Sequence, residues 1–166
     1  TAGPAGAVVV SRSIKASDKG SISFDVLPKQ TTGRFTATLT GAKGDQFLVS
    51  LAPDGTLQAF NDTLTAGAKF AKIGSAVYKP NEFANLKLDW TIQGVDVTLN
   101  GTKVTAAPLP YSFAANVAPV TALVINTGSE ELTGSTGSYV LDTVSYPGCV
   151  SGLALIVNPT SGVAPL

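Results

Sequence analysis

The sequence predicts an all-β fold of antiparallel strands with almost no helix. Three observations carry that expectation. From Leu86 to Ile92 apolar residues alternate with Lys87, Asp89 and Thr91; after Gln93-Gly94 the alternation resumes through Val95, Val97 and Leu99 and stops at Asn100-Gly101. Period-two alternation broken by a glycine turn and then by Asn-Gly is the pattern of an antiparallel hairpin meander. The composition favours strands and turns, with 19 Thr, 17 Gly and 10 Pro. No window sustains a helical apolar period over about three turns.

The elements follow in order. Val8–Ile14 reads as a short first strand. Ser21–Leu27 alternates cleanly, with Ile22, Phe24 and Val26 on one face and Ser21, Ser23 and Asp25 on the other. Phe35, Ala37 and Leu39 repeat the pattern. Gly41–Asp45 is a turn before the strand Phe47–Leu51. Pro53-Asp54-Gly55 is a tight turn, because proline presets φ and glycine accepts positive φ, and it leads into Thr56–Phe60. Asn61–Gly67 is a loop, and residues 70–78 form an irregular strand. The meander comes next, then a proline-marked loop at Pro108–Pro110, then strands at Val120–Asn126 and Ser138–Tyr146. About ten to twelve short strands imply a β-sandwich or barrel. The inward set should be Ile22, Phe24, Val26, Phe35, Leu39, Leu86, Leu88, Trp90, Ile92, Val97, Leu99, Leu123 and Ile125.

The 166 residues fit one domain able to bury a core. Eleven basic and eleven acidic residues cancel, so no basic patch tracks phosphates and nucleic acid is not an expected partner. Apolar runs fall far short of the about 20 residues a membrane helix needs, so no membrane insertion is expected. The chain has no Met, and its start, Thr1-Ala2-Gly3-Pro4-Ala5-Gly6, reads as a linker or a processed terminus. Low charge and abundant Thr suggest a secreted or cell-surface location. Cys149 stands alone and no His exists to activate it, so it reads as an inert thiol.

The strand segments resemble a known family. Gly20–Pro28 (GSISFDVLP), Phe47–Phe60 (FLVSLAPDGTLQAF), Tyr78–Val104 and Tyr139–Tyr146 (YVLDTVSY) are similar to successive strands of laminin-G-like, concanavalin A-like jelly-roll domains. In that family a late strand carries a Leu-Asp-small-Val pattern, matched by Leu141-Asp142-Thr143-Val144. The resemblance implies a two-sheet antiparallel jelly-roll β-sandwich over residues 8–150. Residues 1–7 are then a linker, and 151–166 a final strand or a linker. Val157–Leu166 (VNPTSGVAPL) resembles the opening of a polycystic-kidney-disease-type module, which would make the chain one module of a larger secreted bacterial protein. The other reading of this tail is the domain's own last strand.

The absence of His removes Ser-His-Asp and Cys-His nucleophilic machinery. Catalytic members of the concanavalin-like superfamily carry a Glu-x-Asp-x-x-Glu run, and none is present. The only glutamates are Glu82, Glu130 and Glu131, the last two in a Gly/Ser/Thr-rich loop. Asp89 and Asp96 lie opposite the apolar row of the meander and could face a ligand. Flat rings are what a sugar's apolar face stacks on. Trp90 falls in register with Leu86 and Leu88 and reads as core, whereas Tyr78, Tyr111 and Phe60 could line a groove. The resemblance implies at most a structural calcium ion and no other cofactor, with Asp18, Asp45, Asp54 and Asp62 as turn candidates. Aspartates also favour turns for their own backbone bonds. Asp142, in an apolar strand, should be satisfied by backbone N–H or hydroxyl groups.

The expected function is a non-catalytic binding or adhesion module, with polysaccharide or cell-surface glycan and the neighbouring domains of the same polypeptide as partners. A spacer or protein-contact domain is the second reading. A polysaccharide hydrolase or lyase is the third, with Lys87, Lys103, Arg34 and Tyr111 available to a lyase but not grouped by their spacing.

Overall fold

Alternation in the sequence becomes alternation of faces, and two sheets bury one face each. A computed structural model describes residues 9–29, 34–62, 69–126, 139–147, 149–151 and 155–157. The strands are β1 (Val9–Ser17), β2 (Gly20–Pro28), β3 (Phe35–Gly41), β4 (Gly44–Leu51), β5 (Thr56–Phe60), β6 (Phe70–Val77), β7 (Ala84–Thr91), β8 (Gly94–Leu99), β9 (Thr102–Lys103), β10 (Val120–Asn126), β11 (Tyr139–Tyr146), β12 (Cys149–Ser151) and β13 (Leu155–Val157). One sheet has the order β1-β10-β3-β4-β5-β6. The other runs β12-β11-β2-β7-β8-β9, with β13 also paired to β11. All pairings are antiparallel. The protein is a two-sheet antiparallel jelly-roll β-sandwich, and its single helical element among the described residues is a 3₁₀ turn at Ala114–Asn116.

The core lies between the inward rows. Ile22, Phe24 and Val26 of β2, Leu86, Leu88 and Trp90 of β7, and Val97 and Leu99 of β8 meet Phe35, Leu39, Leu123 and Ile125 of the other sheet, all buried. Phe24 of β2, Phe35 of β3 and Tyr139 of β11 form a chain of tilted ring contacts at 6.1 and 5.2 Å that ties the sheets together. Each buried large apolar side chain contributes on the order of 1.5–3 kcal/mol relative to exposure.

Trp90 fixes the pairing of β2 with β7. Gly20 is its cross-strand partner, and a Cβ on Gly20 would lie 2.3 Å from the indole Cζ2. The ring therefore covers the glycine's main chain, a packing no other residue at position 20 permits without displacement. The indole N–H donates to the Ser17 carbonyl at 3.1 Å, so a 1% exposed side chain leaves its one polar group satisfied.

Ile92 departs from the expected core and is 71% exposed. Strand β7 ends one residue sooner than the alternation suggests. Thr91 pairs with Gly94, so Ile92 and Gln93 are the two turn residues, and a turn residue carries no face. Asn100 and Gly101 form the next turn as expected, at φ 50° and 77°, the left-handed pair that a tight two-residue hairpin requires. The irregularity expected around 70–78 is a large bulge. Thr56 faces Val77 and Gln58 faces Lys72, with Gly74 at φ 56° inside it. Asp142 is satisfied as expected: its Oδ1 accepts from the Thr143 N–H at 2.7 Å and from the Thr143 hydroxyl at 3.2 Å. Those bonds hold Thr143 at φ 39° where β11 shifts register against β2. Residues 1–7, the Glu130-Glu131 loop and all but the first residue of the Val157–Leu166 tail lie outside the described residues.

Trp90→Ala should cost about 3–5 kcal/mol of stability, and Gly20→Ala about 1–3 kcal/mol through overpacking against the indole. Ile92→Thr should change stability by less than about 0.5 kcal/mol. Denaturant unfolding measures all three, and wild-type tryptophan emission should be blue-shifted and shielded from iodide.

Candidate functional site

Outward rows are what a sandwich offers a ligand, and the two sheets offer different chemistry. On the seven-stranded sheet the outward row aligns Ser21, Asp89 and Asp96, and the next aligns Ser23, Lys87 and Thr98. Asp89 and Asp96 are thus brought together, directly opposite one another. Like charges in that position repel, and each carboxylate takes a lysine, Lys87 to Asp89 and Lys103 to Asp96, both at 2.9 Å. Asp96 also accepts from the Thr105 hydroxyl at 3.0 Å, and Asp25 from the Asn85 amide at 2.7 Å. Ser21, Ser23, Asn85 and Thr98 around them offer no flat ring. The face is a solvated lattice of compensated charges.

Tyr111 and Asp18 meet at one end of the sandwich, where a cleft of about 420 Å³ is lined by Ser17, Asp18, Lys19, Thr91 and Ile92. Tyr111 is half-buried, and its hydroxyl donates to the Thr91 carbonyl at 2.7 Å. Burial, with the nearby Asp18 carboxylate, raises its pKa. The ring therefore clamps the loop following Lys103 onto the β7–β8 hairpin. Tyr78 corrects the expectation of an exposed platform: it is 5% exposed, and its hydroxyl donates to the Ala52 carbonyl at 2.7 Å. A tyrosine at the crossing between sheets packs inward because its ring is the apolar mass at hand there.

The calcium candidates do not gather. Asp54 is spent on its own turn, accepting from the Thr56 hydroxyl at 2.5 Å and pairing with Lys72 at 3.1 Å. The Thr56 and Lys72 donors hold its carboxyl down to about 2. Asp45 accepts from the Asn116 side chain only through its main-chain carbonyl, at 2.9 Å, and partial burial raises its carboxyl. Among the described residues no three acidic, Cys or His side chains cluster as a metal site.

The six-stranded sheet brings together residues far apart in sequence. Thr36, Ser50, Gln58 and Lys72 share one outward row across β3, β4, β5 and β6. Thr36 and Ser50 are buried and Gln58 nearly so. Arg34, one residue before β3, lays its guanidinium over this row. Its Nη1 donates to Ser50 Oγ at 2.8 Å and to Gln58 Oε1 at 3.1 Å. The Gln58 amide in turn donates to Thr56 Oγ1 at 3.1 Å. The guanidinium carbon stands 3.9 Å from the centroid of the Phe70 ring, a cation–π arrangement that orients the charge. Phe70 is the cross-strand partner of Phe60, and their rings meet edge to face at 5.2 Å. Phe113 stacks on Phe60 at 5.2 Å. The loop carrying Phe113 is pinned to this sheet: the Phe113 N–H donates to the Gln46 carbonyl at 3.1 Å, the Leu48 N–H to Ser112 Oγ at 2.9 Å, and the Asp62 N–H to the Ser112 carbonyl at 3.2 Å. Lys69 Nζ lies 5.7 Å from the Phe60 centroid.

Three partly buried phenylalanines beside an oriented guanidinium, amide and hydroxyl form an amphipathic surface. It can take a ligand with one apolar face and a rim of hydroxyl groups. Phe60 is the one groove aromatic expected from sequence that belongs to it. Arg34 belongs as well, whereas Lys87 and Lys103 sit on the other sheet and Tyr111 at the end. Phe70, Phe113, Ser50 and Gln58 were not expected. The only early signal was that Gln58 and Phe60 sit at alternate positions facing away from Leu57 and Ala59.

No protein-family model matches the chain, and no curated protein matches it. Solved structures do. A tetrameric galectin from the ball sponge Cinachyrella sp. superposes with a TM-score of 0.62 at 14% identity, over 84% of this chain and 99% of that one. The carbohydrate-binding module CBM66 from Bacillus subtilis gives 0.52 at 12% identity, over 85% of this chain and 81% of that one. A sialidase gives 0.59 at 22% identity over 74% of this chain, which spans only 11% of that protein. These likenesses are likenesses of fold.

Burial raises the Tyr78 phenol to about 12, with the Asp54 carboxylate adding and Arg34 opposing; burial also raises Tyr139. A folded pKa above the unfolded value of about 10 stabilises fully below pH 10 and is lost as pH climbs toward 12. Unfolding free energy should therefore fall steeply above about pH 10. Tyr78→Phe should cost about 0.5–1.5 kcal/mol at pH 7 and flatten that alkaline slope, as read by urea unfolding across the pH range.

Proposed function

We propose that this chain is a non-catalytic carbohydrate-binding module that holds a glycan on the outward face of its six-stranded sheet. The observation that carries the reading is the Arg34–Ser50–Gln58 cluster set beside the Phe60–Phe70–Phe113 rings. Ring faces stack on the apolar face of a pyranose, and a few converging polar groups fix its orientation. The galectin and carbohydrate-binding-module neighbours support the same reading by fold, which is a warrant by analogy. Catalysis finds little support: no His is present, and Asp89 and Asp96 are each committed to a lysine. The composition and the resemblance of the tail support placing the module in a larger secreted or cell-surface bacterial protein, beside other domains of the same polypeptide.

Affinity electrophoresis and calorimetry against a polysaccharide panel test the reading. At least one glycan should bind, with no release of reducing ends. Phe60→Ala should weaken that binding by about tenfold or more, the loss of one stacking contact of about 1.4 kcal/mol, while circular dichroism stays that of a β-sandwich. Asp89→Asn should leave binding unchanged. Failure to bind any glycan would leave a spacer or protein-contact domain instead.

A further inference from the structure

Ser112 and Phe113 enter the six-stranded sheet where β4 and β5 part. Strand β4 pairs with β5 only from Val49 to Leu51. Next to that pairing, the Leu48 N–H donates to Ser112 Oγ at 2.9 Å and the Phe113 N–H to the Gln46 carbonyl at 3.1 Å. Just past β5, the Asp62 N–H donates to the Ser112 carbonyl at 3.2 Å. The two residues are thus a wedge bonded on both sides, and the wedge sets Phe113 on Phe60 at 5.2 Å. The segment's ends are anchored elsewhere. The Tyr111 hydroxyl holds the Thr91 carbonyl, and Val120 pairs with Gly41.

One buried side chain opposes this seating. Gln46 is 0% exposed, and neither its Oε1 nor its Nε2 has a hydrogen-bond partner. Its amide is pressed against Gly41, where a Cβ would lie 2.0 Å from Nε2 and 2.7 Å from the Pro119 carbonyl oxygen. The same segment closes around it: Phe113 bonds its main chain, the Asn116 amide donates to the Asp45 carbonyl at 2.9 Å, and Pro119 lies beside it. A buried amide without partners forfeits the hydrogen bonds it makes in water, and lifting the segment returns water to it.

We propose that residues 112–119 form a movable strap that completes the ring surface when seated, and that the Gln46 amide biases it toward opening. The strap is a regulatory device of the glycan face, and its effect on binding rests on the carbohydrate-binding reading. Its motion does not. A glycan that stacks on Phe113 binds the seated form and shifts the equilibrium toward it, and seating favours the glycan to the same degree.

Native-state amide exchange of the labelled protein tests the motion with no ligand present. The Leu48, Asp62 and Phe113 amides should exchange together, about a hundredfold or more faster than the Leu88 amide, which sits in a strand paired on both sides. Gln46→Met keeps the length of the side chain without its polar atoms and should slow the three amides about three- to tenfold. Ser112→Ala should speed all three while Leu88 stays slow. Any glycan that binds should slow them at saturation. Exchange of the three amides only as fast as that of Leu88 overturns the inference. So does a Gln46→Met variant in which they are unchanged or faster, which would mean that the amide is satisfied in the seated form. A Ser112→Ala variant that alters Leu48 alone shows that the segment does not move as a unit and overturns it too. A glycan that binds and leaves the three amides unchanged removes the strap from the site and leaves the carbohydrate reading standing. Failure of every glycan to bind removes that reading, and exchange in the free protein still decides the strap.

Discussion

The fold depends on the seating of one indole on one glycine. Trp90 lies over the main chain of Gly20 and donates its N–H to the Ser17 carbonyl, so two constraints meet at the β1–β2 corner. The ring sets the register of β7 on β2. A slip of one residue would turn every inward side chain of β7 outward, exchanging Leu86, Leu88 and Trp90 for Lys87, Asp89 and Thr91. Because β2 also pairs with β11 and β7 with β8, the register fixed at this contact propagates across four of the sheet's strands. The Ser17 carbonyl ties the sheet to β1, which belongs to the other one.

With inward faces fixed, the outward faces become chemically distinct. The seven-stranded sheet answers each carboxylate with a lysine or an amide, which costs little in water and organises little. The six-stranded sheet buries Thr36, Ser50 and Gln58 on its outward side, so their polar groups must be satisfied by neighbours. Arg34 supplies the donors for Ser50 and Gln58, and Phe70 beneath it holds the guanidinium in place. Desolvated polar groups next to partly exposed rings are the ingredients of recognition, because a ligand that matches them loses little in displacing water.

Strand positions were legible wherever a period of two ran uninterrupted, as in Ile22–Phe24–Val26 and Leu86–Leu88–Trp90. The Asn100-Gly101 turn was legible from its backbone demand. Ile92 was misread because alternation alone cannot say where a strand stops; the pairing of Thr91 with Gly94 does. The candidate site was far less legible. Asp89 and Asp96 stood out because they interrupt a clean pattern, but their partners, Lys87 and Lys103, lie only two and seven positions away and neutralise them. Arg34, Ser50, Gln58, Phe70 and Phe113 come from separate segments and are assembled only by the order β3-β4-β5-β6 and by the loop that Ser112 pins down. Tyr78 was misassigned because a strand-end aromatic looks exposed until the chain's crossing between sheets is known.

The central claim is that recognition belongs to the six-stranded face. Backbone amide shifts of the labelled protein, followed as a bound glycan is titrated in, test it most directly. The account predicts that the perturbed amides are those of Arg34, Ser50, Gln58, Phe60, Phe70 and Phe113, with Asp89, Asp96 and Thr98 unmoved. Perturbations centred on Asp89 and Asp96, or on the Tyr111 and Asp18 cleft, would contradict it.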